Sequence, residues 1–503
     1  GKRMAFMASP PASDEEEKKL KDKDDARVVS RDEKNARLWL LDVETRKVRP
    51  LAEGKWRISE FLWLPNGEEI AVVATDEPRQ ELFSERMFVM AVNDGRMREI
   101  ARPAGPFGGL KVSPDGKTLA YTGSRGDGPS AHDLFLQPIA GGPARNLTAS
   151  AFDRPVSSPV WLKDGNLVFL AASGFVRTLY RMSMDGRAEK MDIQPLPPSG
   201  GLVIGTDLLV FVADSSIQMP ELWVKLGAGP AEKVTSFNKE WDDIPLIKPA
   251  IIAYPSFDKV AIEAALFLPP GYVSGTRIPL AVIVHGGPTG AWTDNFNSWA
   301  QLLASRGFAV LCPNIRGSTG YGFAFMAMNR KDWGGADFKD VMAGVDFLVA
   351  KGIADPERLG IGGWSYGGYM AAWAVTQTNR FKASVSGAPM TDLALEYGAE
   401  AAGINAYDTW FLGTPYENLS LFTARSPVTY VKNVKTPTLI LCGENDVTDP
   451  IAQCYQFYRG LTRYGTEAEF VSYPREGHGP REEKHQMDVL DRMIGWFEKY
   501  LKK

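Results

Sequence analysis

The chain has 503 residues, 44% hydrophobic and 23% charged, with a net charge of −4 and four histidines. Length alone implies about two to four domains of ordinary size. The charge balance excludes a basic nucleic-acid footprint, no stretch approaches the roughly 18 apolar residues of a membrane span, and no signal peptide is legible at the start.

Residues 1–245 read as short strands broken by Gly, Pro, Asn and Asp turns, repeating at roughly 45 residues, a period typical of propeller blades. One phrase is an apolar pair, a turn and an apolar strand; it occurs as FLWLPNGEEIAVVA (61–74), LKVSPDGKTLAYTG (110–123) and PVWLKDGNLVFLAA (159–172). A second phrase is a hairpin, at 36–51, 86–100, 133–147 and 178–191, with Asp-Gly or Gly-Gly at several of its turns. These pieces imply a partial β-propeller of about five blades. GKRMAFMAS (1–9) reads as the strand that follows an SPDG turn, without the turn. We therefore expect a missing N-terminal propeller segment; the alternative is one mixed blade closed by both ends of this half. The hairpin at 221–236 has no legible partner, and the charged run DEEEKKLKDKDD (14–25) is expected to be a solvated loop.

From about 250 the pattern changes. Apolar strands at 260–269, 280–286, 308–314, 358–364, 383–388, 438–444 and 469–474 alternate with helical stretches near 295–306, 336–351, 366–378, 451–464 and 483–501. Such alternation predicts a mostly parallel sheet covered on both faces, here an α/β-hydrolase domain over 246–503, with its functional residues just after the strands. Cys312, Cys442 and Cys454 are too few and too odd in number for a disulfide framework, so buried thiols are expected. No metal-ligand or cofactor motif is legible, and neither a metal nor a cofactor is expected.

Gly363-Trp364-Ser365-Tyr366-Gly367 fits G-x-S-x-G. Five residues are a weak signal, but this one follows a strand and opens a helix, the context in which a strained turn lifts a serine hydroxyl above the sheet. That predicts Ser365 as a nucleophile. A serine needs a base, and triads of this fold run in the order Ser, acid, His. His478 lies in a Gly-bounded loop after a strand (YPREGHGP), whereas His485 falls on the last helix, so His478 is the predicted base. The acid comes from Glu444, Asp446 and Asp449; Asp446 is preferred, three residues past Gly443, and Asp449 next to Pro450 could cap a helix. The oxyanion donors are expected to be the backbone N–H groups of Tyr366 and Gly287, the latter in His285-Gly286-Gly287-Pro288, with His285 itself structural.

HGGPTGAW, NIRGSTGYG (314–322), GGWSYGGYM (362–370), SPVTYVKNVKTPTLILCGEND (426–446) and YPREGHG (473–479) together resemble the prolyl oligopeptidase family of serine peptidases, nearest its acylaminoacyl-peptidase-like branch. The resemblance covers the whole chain and is sharp from about 260 onward. It implies a β-propeller before the hydrolase domain, with the propeller restricting access by large folded proteins. It also implies Ser365, Asp446 and His478 as the triad, Gly287 and Tyr366 as oxyanion donors, and short peptides as substrates cleaved through an acyl-enzyme. Oligomers are common in the family, so a homo-oligomer is an expectation carried by the resemblance alone. Two departures stand out. Thr448 occupies the position where relatives commonly hold a substrate carbonyl with arginine, which predicts weaker peptide binding or an unusual preference. Family propellers usually have more blades than the about five read here. A carboxylesterase on the same triad is one alternative function. A dipeptidyl aminopeptidase is another, although the paired-glutamate motif of those relatives is not found and Glu68-Glu69 sits in a turn. A binding scaffold with a silent triad is a third. A soluble chain is expected, with the cytoplasm favoured over periplasm or secretion.

Overall fold

A computed structural model describes residues 2–28, 34–52, 54, 56–77, 83–205 and 208–502. By internal contacts the chain divides into two compact units. One comprises Gly1–Phe152, Val156–Phe169 and Arg181–Glu189; the other comprises Asp153–Pro155, Leu170–Tyr180 and Lys190–Lys503. Residue 245 falls inside the second unit.

Among the described residues up to Lys233, the strands form one three-stranded sheet and four four-stranded sheets, each with its strands in chain order. The repeated phrases are the inner hairpins of these sheets: Glu69–Thr75 pairs with Arg86–Ala91, and Thr118–Gly123 with Asp133–Pro138, both antiparallel. Arg3–Ala8 pairs antiparallel with Arg37–Asp42 in the three-stranded sheet. Two expectations need correction. The hairpin at 221–236 has partners: Gln218–Leu226 pairs with Leu208–Ser215, which in turn pairs with Gly200–Ile204. The charged run is a helix, Asp14–Asp22, with no buried residue. Its start is fixed by a capping box, in which Ser13 Oγ accepts the Glu16 amide at 3.2 Å and the Glu16 carboxylate accepts the Ser13 amide at 2.6 Å. Solvation was read correctly; the cap that turns a loop into a helix was not.

The eight strands of the large sheet are β1 (Ala250–Pro255), β2 (Ala261–Phe267), β3 (Ile278–Val284), β4 (Ala309–Pro313), β5 (Ala354–Trp364), β6 (Phe381–Gly387), β7 (Thr438–Gly443) and β8 (Ala468–Tyr473). Their spatial order is β1-β2-β4-β3-β5-β6-β7-β8. Only β2 runs against its neighbours; β4-β3-β5-β6-β7-β8 is parallel throughout. β3 and β4 are apolar at every position because both faces are covered. In β3, Leu280, Val282 and Val284 enter one core while Ala281 and Ile283 enter the other. β7 divides the same way, with Ile440 and Cys442 on one side and Leu439 and Leu441 on the other. All three cysteines are free and buried.

The covering helices are α1 (Ser298–Ser305), α2 (Ala336–Ala350), α3 (Tyr366–Gln377), α4 (Leu393–Ala399), α5 (Ala402–Leu412), α6 (Pro415–Arg425), α7 (Ala452–Arg463) and α8 (Glu483–Leu501). Five of them match the sequence expectation. α4–α6, between β6 and β7, do not appear in it. α4 stops at Ala399, Gly413 caps α5 and Pro415 opens α6, so this stretch falls into pieces of seven to eleven residues, too short to show a helical period. β1 was also missed: it is an edge strand that pairs only with β2, and only Tyr254 of it is buried. Among the described residues, no helix is long and apolar enough to cross a membrane.

Candidate active site

Because β3, β5, β7 and β8 run parallel, the loops that follow them emerge on one edge of the sheet, and each carries one part of the site. Ser365 follows β5, its backbone at φ 60°, ψ −124°, a conformation costly for any residue with a side chain. The flanking glycines make this turn sterically possible. A Cβ on Gly363 would lie 2.4 Å from the carbonyl oxygen of Val284 at the end of β3, and one on Gly367 would lie 2.1 Å from the same atom. The spacing of G-x-S-x-G thus reflects how tightly α3 and β5 pack on β3. The turn is held by the Ser365 amide, which donates to Gly387 O at 2.9 Å, and by Ser365 O, which accepts the Tyr369 amide at 2.8 Å.

The loop after β3 lies against Ser365: a Cβ on Gly286 would be 3.3 Å from Ser365 Cβ. Gly287 adopts φ +128°, and a Cβ there would meet the amides of Thr289 and Gly290 at 2.3 Å, so only glycine fits. His285 is structural. Its Nδ1 is 2.8 Å from Gly286 O, its Nε2 is 2.7 Å from Ser318 Oγ, and burial pushes it down to about 4, which keeps it neutral. Tyr366 is fully buried, and its phenol donates to Asp337, whose carboxyl burial pushes up to about 7.

Asp446 and His478 meet at the ends of β7 and β8, with His478 Nδ1 3.0 Å from Asp446 Oδ2. The other carboxylate oxygen, Oδ1, accepts the amides of Thr448 and Asp449, each at 2.9 Å, so the carboxylate is fixed from behind. Burial lowers the affinity of His478 for its proton; the Asp446 hydrogen bond and the charges of Asp449 and Asp446 outweigh it, and the imidazole titrates above its ordinary value. The loop carrying His478 is anchored twice. Trp364 Nε1 donates to His478 O at 2.5 Å. Glu476, buried, accepts the amides of Arg481 at 2.8 Å and Glu482 at 2.9 Å and lies 2.7 Å from His485 Nδ1. Glu476, Glu482 and His485 bring one potential metal-ligand atom each within 4.8 Å of one another, but the Glu476 oxygens are already engaged in holding this loop. His485 lies on α8, as the sequence implied.

Asp449 does not cap α7, which has no side-chain cap. It is 2% exposed, its Oδ2 is 4.0 Å from His478 Nδ1, and it is surrounded by further acids: Glu396 on α4, Glu400 just after it, and Asp408 on α5. Sequence reasoning missed these three because α4 and α5 were not legible.

Residues 294–503 match the family model described as the prolyl oligopeptidase family. The chain is 29% identical to the uncharacterized peptidase YuxL of Bacillus subtilis over 94% of its own length and 88% of that protein's. It is 27% identical to the acylamino-acid-releasing enzyme of Arabidopsis thaliana, over 69% of this chain and 50% of that one. A solved acylaminoacyl peptidase in complex with Z-Gly-Gly-Phe-chloromethyl ketone shares the fold, with a TM-score of 0.73 and 22% identity over 100% of this chain and 87% of that one. The family match lies over the loops that carry Ser365, Asp446 and His478, so the segment 294–503 that holds them is of the prolyl oligopeptidase family.

Proposed function

We propose that Ser365, His478 and Asp446 form the catalytic triad of a peptidase that hydrolyses short peptides through an acyl-enzyme, in the manner of acylaminoacyl peptidases or oligopeptidases. The observation that carries this reading is the His478–Asp446 hydrogen bond at 3.0 Å, on the same sheet edge as a serine held at positive φ. Ser365 Oγ attacks the scissile carbonyl while His478 Nε2 takes its proton; Asp446 fixes the tautomer and stabilises the imidazolium. The peptide N–H groups of Tyr366 and Gly287 receive the oxyanion. His478 then protonates the leaving amine, water attacks the ester of Ser365, and the acid product leaves. The successive antiparallel sheets of the N-terminal part support reading them as blades of a β-propeller, since each keeps its strands in chain order.

The second reading is a carboxylesterase on the same triad, favoured by Thr448, half-buried and neutral beside Asp446. A fluorophosphonate probe, followed by a panel of blocked aminoacyl, free dipeptidyl and p-nitrophenyl ester substrates at matched concentration, tests both. Labelling with preferential cleavage of blocked aminoacyl substrates supports the peptidase. Labelling with ester hydrolysis and no peptide cleavage favours the esterase, and no labelling removes both.

A further inference from the structure

Tyr366 opens α3, and its amide is one of the two groups proposed to receive the oxyanion formed at Ser365. The first amides of a helix have no partner within it, and α3 has no side-chain cap. No hydrogen bond of its own turn therefore aims this amide. Its direction follows from the torsions of Ser365 and from whatever fixes the rest of Tyr366. An oxyanion donor stabilises the transition state only when it is aimed before the reaction begins.

The side chain supplies that hold. The Tyr366 ring is fully buried, and Trp333 meets it edge-on with centroids 5.2 Å apart. The phenol adds a directional contact: it donates to Oδ2 of Asp337, the second residue of α2. The other carboxylate oxygen, Oδ1, accepts the Phe338 amide at 2.7 Å. Asp337 is fully buried, and the neighbouring charges it senses are those of Asp340 and Asp332. A buried carboxyl beside like charges costs stability, and packing alone would be better served by an apolar residue. Asp337 is itself a fixed point. Asp332 Oδ2 accepts the Ala336 amide at 2.8 Å, and its Oδ1 accepts Arg425 at 2.6 Å. Arg425 O in turn accepts the phenol of Tyr369, one turn along α3, at 3.1 Å. A Cβ on Gly334 would lie 2.6 Å from the Trp373 ring and 2.7 Å from the Tyr369 hydroxyl, so the segment leading into α2 packs directly on α3.

We propose that Asp337 is a positioning residue for the oxyanion hole: by accepting the Tyr366 phenol it holds the first turn of α3 so that the Tyr366 amide points at the developing oxyanion. Asp337 acts through Tyr366 and exchanges no proton with the substrate. The role rests on the serine-hydrolase reading of Ser365 and deepens it, because it applies equally to peptide and ester substrates. It also explains why a buried acid stands at the start of α2, 29 residues before Tyr366, where the triad makes no use of it.

The test compares wild type, Tyr366→Phe, Asp337→Ala and the double variant. Active sites are counted by fluorophosphonate titration, and kcat per titrated site and KM are measured with p-nitrophenyl acetate. An oxyanion donor acts in the tetrahedral state and not in the bound ester. Tyr366→Phe, which keeps the ring and the amide, should therefore lower kcat per site on the order of tenfold with KM within about twofold of wild type. Asp337→Ala should do the same, and the double variant should lose no more than the worse single one, because both remove one contact. A role in folding alone would lower Tm and the titrated fraction while leaving kcat per site unchanged, and that result would overturn the proposal. So would losses that multiply in the double variant. If Asp337→Ala does not fold, Tyr366→Phe carries the test: the fall at constant KM supports the role, and an unchanged kcat per site overturns it. An active wild type with an unaffected Tyr366→Phe removes this role alone. A wild type that neither labels nor hydrolyses the ester removes the serine-hydrolase reading and the role with it.

Discussion

Trp364 Nε1 donates a hydrogen bond to the backbone carbonyl of His478 at 2.5 Å, so the residue preceding Ser365 holds the loop that carries the proposed base. The first x of a G-x-S-x-G motif, here Trp364, is nominally free to vary. Here it couples the ends of β5 and β8, and its partly buried ring packs against the apolar core on one face of the sheet. Replacing Trp364 with Phe keeps most of the apolar contact and removes one hydrogen bond, worth about 1 kcal/mol. We expect kcat/KM to fall on the order of tenfold with little change in Tm. Unchanged kcat/KM would mean that the Glu476 anchor alone positions His478.

The pH profile follows from the electrostatics of His478. The base must be neutral to accept the Ser365 proton, and its imidazole titrates above 6.5 because Asp446 and Asp449 outweigh burial. The acidic limb of kcat/KM should therefore lie above pH 6.5, with activity rising as pH increases through it. Asp449→Asn removes one of the charges that raise it and should move that limb to lower pH. A limb that stays in place would show that Asp446 alone sets the titration.

The buried acids also make a stability prediction with a defined sign. Burial, followed by the Asp449 charge, pushes Asp408 up to about 8, against about 4 for an unfolded aspartate. Between those values the unfolded chain loses this proton while the folded chain keeps it, so stability falls as pH rises from about 4 to about 8. Asp408→Asn removes that loss. Its Tm should exceed the wild type by at least about 2 °C more at pH 8 than at pH 5. An equal difference at both pH values would mean that Asp408 is not held protonated.

Thr448 offers a gain-of-function test. Its amide supports Asp446 at 2.9 Å, while its side chain stands where the family resemblance places an arginine. A guanidinium can hold a peptide carbonyl through paired donors that a hydroxyl lacks. Thr448→Arg should raise the ratio of peptide to p-nitrophenyl ester kcat/KM by at least about fivefold. If the ratio does not move, Thr448 does not govern the peptide preference.

Much of the site could be read before any coordinates. Ser365, Asp446 and His478 each follow a strand of the parallel sheet, and parallel strands bring the ends of distant segments to one edge. The order of motifs along the chain was therefore enough to nominate them. Asp449 could be named as a neighbour but not placed: its separation from the α7 cap position depends on how the loop curls around Asp446, which no local pattern encodes. Glu396, Glu400 and Asp408 lay beyond sequence reasoning because they sit on or beside the short helices α4 and α5. They converge on Asp449 only through the tertiary fold. In the N-terminal part, Asp-Gly turns marked the inner hairpins well. Outer strands such as Gly200–Ile204, exposed at alternate positions, carried too little apolar signal.

The most direct test of the central claim is the reactivity of Ser365 itself. Wild type should be labelled by a fluorophosphonate and turn over an activated acyl substrate. Ser365→Ala, verified as folded by an unchanged thermal transition, should lose labelling and lose on the order of a million-fold in kcat. A folded Ser365→Ala protein that still labels, or that loses less than about tenfold in kcat, would contradict the account.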